Sequence, residues 1–166
     1  MKGTASAQKG FTLVEGIIVI LILSIVTAIA LPEFRKMAVN ANLKAAARDL
    51  IADFSSLKQM AISGDANLGN RMYRISLDLA TKSYQLQRCT NQGAPCQGWA
   101  PIQAKNFMAF GSDIGFDPDN TTVTNYNFRT RGTVTNGTIV LTNSRNSKAT
   151  ITVNIAGRTY VQFELQ

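Results

Sequence analysis

The sequence predicts an α+β fold, in which one long N-terminal helix packs on an antiparallel β domain. Residues 11–31 are predominantly apolar and contain one charged residue, Glu15, and residues 33–63 contain neither Pro nor Gly. Both patterns favour helix. From about Arg71 the chain changes to short alternating segments rich in Thr, Val, Ile and aromatic residues, which is typical of strands. We therefore expect a short basic segment over 1–10, a helix over 11–63 and a β domain over 64–166.

The apolar segment 11–31 is long enough to cross a membrane. As a helix it measures roughly 30 Å, the hydrocarbon thickness of a bilayer. It ends at Leu31 without an A-x-A-like cleavage site, so ordinary removal as a secretory signal is not expected. The preceding segment carries Lys2 and Lys9 and no acid, which favours a cytoplasmic location for that end. We expect a single-pass inner-membrane protein whose C-terminal domain lies in the periplasm.

The second part of the helix is predicted to be amphipathic. Pro32 lies between the two helical stretches, where it is expected to kink the helix, and two helices joined by a hinge are the alternative. Gly64 is a suitable C-terminal stop. Apolar residues recur at spacings of three and four and define one buried stripe: Leu43, Ala47, Leu50, Phe54, Leu57 and Ala61.

The β domain is predicted to be antiparallel. The segments 71–80 and 83–88 alternate and flank a short turn, which predicts a hairpin. A loop containing Trp99 is expected next. Gly157 lies between two alternating runs and predicts a closing hairpin. Five further segments are predicted to be strands: NFMAF, VTNYNFRT, GTIVLTN, KATITVNI and RTYVQFEL.

Composition excludes several classes of function. The chain has no His, so no imidazole base or ligand is available, and no phosphate-binding glycine loop or nucleophile motif is present. We therefore expect no enzymatic activity, no catalytic residue and no cofactor. Cys89 and Cys96 are expected to form a disulfide outside the cytoplasm, with two reduced thiols as the alternative. Two cysteines without His make a poor zinc site, and no metal is expected.

Glu15 is the one charge in the apolar segment and requires an explanation. An ionised side chain inside hydrocarbon costs at least about 2.5 kcal/mol, so such a residue usually has a partner or a function. Cleavage between Gly10 and Phe11 would create an α-amino group one helical turn before Glu15, in the same or a neighbouring helix. Pairing in an apolar surround would then fix the register of adjacent helices. Alternatively, Glu15 lies at headgroup level and is solvated by snorkelling.

The segment KGFTLVEGIIVILILSIVTAIALP resembles the N-terminal signature of type IV pilins and type II secretion pseudopilins. The resemblance implies a pilin-like fold and a leader over residues 1–10 that prepilin peptidase removes between Gly10 and Phe11. It implies N-methylation of Phe11, an assembly role for Glu15 and a helix kink at Pro32. The implied partners are other pilins or pseudopilins in a filament, prepilin peptidase, the inner-membrane assembly platform and, before assembly, the inner membrane itself.

The closing segments resemble the GspH/FimT family of minor pseudopilins and minor pilins. The positions that carry this resemblance are Phe128, Gly132, Gly137, Ile139, Leu141, Val153, Gly157 and Arg158. The resemblance implies a minor subunit of a secretion pseudopilus or of a type IV pilus. This chain would be a passive building block that is extracted from the membrane by a separate motor.

DNA binding is the alternative function. The formal net charge is +7, and some FimT-like minor pilins take up DNA through C-terminal arginines. Here the double-arginine pattern Gly-Arg-x-Arg is incomplete, because Tyr160 stands at its last position. The candidate contacts to phosphate are Arg129, Arg131, Arg145, Lys148 and Arg158.

Two further readings remain open from the sequence. The segment DIGFDPDN carries oxygen ligands that would suit calcium, although Asp-Pro-Asp-Asn is also an ordinary turn sequence. The second of these readings is a membrane-anchored binding protein that never enters a filament. Such a protein would keep its leader, or would tolerate replacement of Glu15 by Val.

Overall fold

The computed structural model describes residues 12–63, 72–91 and 96–166. They divide into two compact units, with the boundary between Ala38 and Val39. The helix α1 (Leu13–Ser63) belongs partly to each unit, and a 3₁₀ turn covers Phe107–Ala109. The described strands are β1 (Tyr73–Asp78), β2 (Ser83–Cys89), β3 (Trp99–Asn106), β4 (Gly115–Phe116), β5 (Asn125–Phe128), β6 (Gly137–Thr142), β7 (Lys148–Val153) and β8 (Thr159–Glu164).

The strands of the second unit form two antiparallel sheets. The first has the order β3-β2-β1-β5 and the second the order β4-β6-β7-β8. The predicted hairpins are present: Asp78 pairs with Ser83 next to the β1–β2 turn, and Val153 pairs with Thr159 next to the β7–β8 turn. In the latter, Gly157 has a φ of 68°, a conformation that glycine adopts without strain. The predicted fold class is confirmed.

The second part of α1 buries its apolar stripe against both sheets. The six residues of the predicted stripe are at most 2% exposed, and Ala46 joins them. The Phe54 ring contacts Tyr126 and Phe128 of β5, with centroid separations of 5.1 and 5.6 Å. From the second sheet, the inward residues of β6 and β7 complete the same core: Ile139, Leu141, Ala149, Ile151 and Val153.

Two predictions in the β domain are wrong. The segment NFMAF is not a strand, because Phe107 is buried and Phe110 half-buried, a spacing of three that suits the 3₁₀ turn, in which Phe110 N–H donates to Phe107 O. The loop predicted around Trp99 is strand β3. Pro101 obscured it in the sequence, but β3 is an edge strand, where a residue without N–H is tolerated. The two-residue strand β4 was also missed.

A polar network joins α1 to β2 and β3 within the second unit. Lys105 Nζ lies 3.0 Å from Asp49 Oδ2 and 2.9 Å from Asp53 Oδ2. The Tyr84 hydroxyl donates to Asp53 Oδ2 at 2.7 Å and lies 3.0 Å from Asp49 Oδ2. Asp49 and Asp53 are four residues apart, so both carboxylates leave the same face of the helix. The network therefore fixes one helical register on the first sheet.

The network shifts the pKa of its members. Burial raises the pKa of the Tyr84 hydroxyl, and the hydrogen bond to the Asp53 carboxylate raises it further. Burial lowers the pKa of Lys105, but the hydrogen bonds and charges of Asp53 and Asp49 outweigh burial, so that the net shift is upward. The ammonium group of Lys105 therefore stays protonated at neutral pH and balances the charge of the two carboxylates.

We predict that Lys105→Ala destabilises the second unit. The substitution leaves the carboxylates of Asp49 and Asp53 without their countercharge, and the free energy of unfolding should fall by roughly 1–3 kcal/mol. The measurement is urea denaturation of residues 39–166. Arg48→Ala is the matched control, since Arg48 is an exposed cation on the same helix, and it should change the value by less than about 0.5 kcal/mol. Equal effects of the two substitutions would contradict a stabilising role of the network.

Candidate functional site

The first unit presents an apolar helix without any buried side chain among its described residues. The large apolar side chains between Leu13 and Leu31 are 44–79% exposed. Within the described part of the chain, α1 is the one helix that is long and apolar enough to cross a membrane, by length and composition. Such a surface needs a cover other than water, because exposed apolar area is unfavourable in solution.

The hydroxyl groups in this apolar stretch are satisfied inside the helix. Ser24 Oγ donates to Ile20 O and Thr27 Oγ1 to Leu23 O, both at 2.7 Å. These bonds to the preceding turn remove the two hydroxyls as unsatisfied polar groups. The carboxylate of Glu15 differs, because it is exposed and makes no hydrogen bond or ion pair with the described residues.

Thr12 fixes the start of α1. The Glu15 N–H donates to Thr12 Oγ1 at 3.3 Å, and the Gly16 N–H donates to Thr12 O. The spacing Thr-x-x-Glu is that of a capping box. The predicted cleavage and methylation residues, Gly10 and Phe11, lie outside the described residues. The proposed pairing of Glu15 with a new amino terminus therefore stays a prediction.

Pro32 lies inside an unbroken stretch of α1. The alternative of two helices joined by a hinge is therefore not observed, while the kink at Pro32 stays a prediction. Just beyond it, Lys36 Nζ forms an ion pair with Glu33 Oε1 at 2.6 Å. Arg35 is exposed and makes no such contact with the described residues.

The predicted disulfide between Cys89 and Cys96 is present. Cys89 ends β2 and pairs in register with Trp99, the first residue of β3. The bridge therefore closes the connection between these two strands. Beside it, the Arg74 guanidinium stacks on the Trp99 ring at 4.3 Å and donates two hydrogen bonds to Gln87 Oε1.

Three of the five predicted basic residues lie at one end of the β domain. Arg129 and Arg131 belong to the turn after β5, and Arg158 belongs to the turn between β7 and β8. The two turns are joined by a hydrogen bond from Val134 N–H to Ile155 O at 3.0 Å. All three side chains are exposed and make no ion pair with the described residues.

Lys58 of α1 joins this group and was missed by sequence reasoning. Its Nζ donates to the carbonyl oxygen of Ala156 at 2.8 Å, two residues before Arg158, and its side chain borders a shallow groove with Ile62 and Gly157. Its position in the sequence could have indicated this, because Lys58 follows Phe54 by four residues and so lies at the border of the buried stripe of α1. We call this surface the basic end: Lys58, Arg129, Arg131 and Arg158.

The other two predicted basic residues lie at the opposite end of β7. Arg145 is in the β6–β7 turn and Lys148 begins β7, whereas Arg158 follows its far end. The length of β7 separates them by roughly 17 Å. Lys148 Nζ also forms an ion pair with Asp117 Oδ2 at 3.0 Å. The five residues predicted as one set of phosphate contacts therefore do not form one patch.

The acid-rich segment 113–120 is engaged in local contacts. Asp117 accepts hydrogen bonds from the side chains of Asn120 and Lys148, which lower its pKa, and Ser144 Oγ donates to Asp113 Oδ2 at 2.9 Å. No group of three or more Cys, Asp or Glu side chains that would suit a metal ion occurs within residues 12–63, 72–91 and 96–166. These hydrogen bonds explain the acidic residues of this segment as parts of a turn.

Comparison with known proteins gives two matches of different kinds. A family described as the prokaryotic N-terminal methylation motif matches residues 5–31. Two structures of the minor pseudopilin EpsH from the type II secretion system of Vibrio cholerae are similar to the chain at 13% identity. Their TM-scores are 0.57 and 0.55, and 74% of this chain covers 97% and 94% of theirs. No curated protein sequence matches.

The chain has a pilin-like fold. The methylation motif lies on the segment that carries Glu15, and the structural similarity concerns the arrangement of a long helix on antiparallel sheets. The two matches are independent, since one rests on 27 residues of sequence over 5–31 and the other on a three-dimensional arrangement at low identity. The predicted resemblance to type IV pilins and pseudopilins is thereby confirmed.

Proposed function

We propose that this chain is a minor pseudopilin or minor pilin, made as a precursor and assembled through the apolar part of α1. The observation that carries the proposal is the exposed apolar helix with the carboxylate of Glu15, which has no partner among residues 12–63, 72–91 and 96–166. In this proposal prepilin peptidase cleaves between Gly10 and Phe11, and Phe11 is then N-methylated. A type II secretion pseudopilus is the filament suggested by the EpsH likeness, and a type IV pilus is the alternative.

The apolar part of α1 is surrounded by two environments in succession. Before assembly the lipid of the inner membrane surrounds it, with the β domain in the periplasm. After extraction through the assembly platform, the helices of neighbouring filament subunits replace the lipid. Both environments satisfy the same requirement, because each removes apolar side chains from water. The chain itself supplies a surface and catalyses no reaction, and in this proposal it is the substrate of two modifications, cleavage by the peptidase and N-methylation of Phe11.

Glu15 makes the transfer of the helix from lipid to neighbouring helices selective for one register. Its carboxylate is tolerated near the headgroups but needs a cation once the helix lies among other helices. The amino group of Phe11 would supply that cation, in the same subunit or an adjacent one. Attraction between the two charges is far stronger in an apolar surround than in water. A subunit in the wrong register leaves both charges desolvated and unpaired, so register is selected.

We predict that Glu15→Val permits processing but reduces incorporation. The variant keeps the apolar helix and the cleavage site but loses the charge that selects register, so the amount of subunit in isolated filaments should fall about tenfold or more. The measurement is immunoblotting, first for the shift from precursor to mature protein in membranes and then for subunit in the filament fraction.

Thr27→Val is the matched control for this variant. It also replaces a polar side chain by Val in the same helix, but the hydroxyl it removes is bonded within the helix. It should be processed and incorporated normally. Normal incorporation of Glu15→Val would refute the pairing and would favour solvation of Glu15 at headgroup level.

A second candidate function is DNA binding by a minor pilin during uptake. The observation that favours it is the basic end, where Lys58, Arg129, Arg131 and Arg158 converge from three chain segments. Their charges are not balanced by ion pairs within the described residues, and such a surface attracts phosphate independently of sequence. In this candidate function Arg145 and Lys148 make no contribution, because they lie at the other end.

We predict that Arg129→Gln/Arg158→Gln weakens DNA binding by residues 39–166, whereas Arg145→Gln/Lys148→Gln does not. The two double variants lose the same formal charge and differ in position and in the ion pair that Lys148 makes with Asp117. Loss of two phosphate contacts should reduce the slope of log K against log salt concentration by about two. The measurement is a gel shift with duplex DNA over a range of salt. The absence of any shift at low salt, or equal weakening by both variants, would argue against a site at the basic end.

A further inference from the structure

A shallow groove lies at the basic end, between the last turns of α1 and the turn that joins β7 to β8. Its volume is about 570 Å³, and the residues that line it are Ser55, Lys58, Gln59, Ile62, Ser63 and Gly157. The α1 residues among them recur at spacings of three and four, so they share one side of the helix. The last turns of α1 therefore have a second face, exposed beside the buried stripe.

Two glycines allow α1 to approach the neighbouring turns closely. A Cβ atom on Gly132 would lie 2.9 Å from Ile62 Cδ1, and one on Gly157 would lie 3.0 Å from Lys58 Cδ. Both glycines have a positive φ, 77° for Gly132 and 68° for Gly157, which disfavours larger residues there. The position of Lys58 and Ile62 against these turns therefore depends on the two glycines.

Lys58 is a cation held in one place. Its half-buried side chain donates to Ala156 O at 2.8 Å and to Gly157 O at 3.4 Å. An ammonium group has three N–H donors, so one donor remains available to a ligand. The two carbonyl groups do not neutralise its charge. The three segments that form the basic end, 55–63, 129–135 and 154–160, contain four cations and no acidic residue.

Exposed apolar side chains accompany these cations. Ile62 is 56% exposed, and Ile155 of the β7–β8 turn is 67% exposed. DNA held through its phosphates would use the cations and leave both isoleucines in water. A protein segment that carries acidic and apolar side chains would cover both kinds of group, because protein interfaces combine an apolar centre with a polar rim.

We propose that the groove binds an acidic and apolar segment of a different filament subunit. A carboxylate of that subunit accepts from Lys58 and is attracted by Arg158, and an apolar side chain packs on Ile62. The inference rests on the proposed function, which supplies the neighbouring subunits.

Charge decides against a second copy of this chain as the partner. Its formal net charge is also +7, so two copies repel each other. In its acid-rich segment 113–120, Asp117 is already paired with Lys148. The complementary partner is therefore another protein with an acidic contact surface, and such a contact suits a subunit that is present in few copies.

The test is photocross-linking of the full-length chain in its own host. The photoreactive residue benzoylphenylalanine replaces Gln59 in one chain and Ser55 in another, and mass spectrometry identifies the cross-linked protein. We expect a protein other than this chain that carries the N-terminal methylation motif, linked through a segment with Asp or Glu. Arg158→Glu should reduce the product about tenfold or more, because like charges then face each other. Replacing the linked carboxylate by Lys in the partner should restore it.

Two matched controls separate the groove from general effects of charge and hydrophobicity. Arg145→Glu makes the same change of charge at the opposite end of β7 and should leave the product unchanged. Ile62→Ser should reduce the product, whereas Met108→Ser should not, because Met108 is a similarly exposed apolar residue outside the groove.

Several outcomes would overturn the proposal. They are a cross-link between two copies of this chain, to DNA or to a protein without the methylation motif, and a product that is insensitive to Arg158→Glu. If a chain that is processed and incorporated normally gives no cross-link from either position, the inference fails and the proposed function stands. A functional chain that retains Met1 contradicts the proposed function and the inference together.

Discussion

The carboxylate of Glu15 is the constraint on which the proposed assembly of this chain depends. It stands one turn into a helix whose side chains are apolar, exposed and free of other unsatisfied polar groups as far as Leu31. An apolar helix alone would associate with lipid or with other helices in any register. In the proposed assembly, one charge makes most of those registers unfavourable, because a desolvated carboxylate without a cation is costly. The capping bond from Glu15 N–H to Thr12 keeps the helix regular up to this residue.

The two units divide the tasks of the chain. The second unit has a complete core, closed by the stripe of α1 and both sheets, and its helix register is fixed by Lys105 between Asp49 and Asp53. It therefore has the internal contacts of a stable domain. Residues 12–38 of the first unit form no core of their own, and their side chains are not buried. The stability of this segment as a helix depends on what surrounds it, which suits the proposed passage from lipid to protein neighbours.

The sequence predicted those features that follow from periodicity and charge. The buried stripe, the two hairpins and the disulfide all have local signals, and each is present. Strand β3 was missed because Pro101 and the cysteine loop suggest irregular structure. In the sheet, β3 pairs with β2 on one side only, and such an edge strand tolerates proline. The sequence also did not predict that Arg145 and Lys148 lie far from Arg158. Nor did it predict that Lys58 lies at the basic end. Both depend on which turns the sheets bring together, and such contacts lie far apart along the chain.

In the proposed function, the carboxylate of Glu15 pairs with an amino terminus that proteolysis creates. The direct test is the intact mass of the protein isolated from filaments of its own host. The claim predicts a chain that begins at Phe11 and carries one additional methyl group. A functional population that retains Met1 would contradict it, because Glu15 would then have no new amine to pair with.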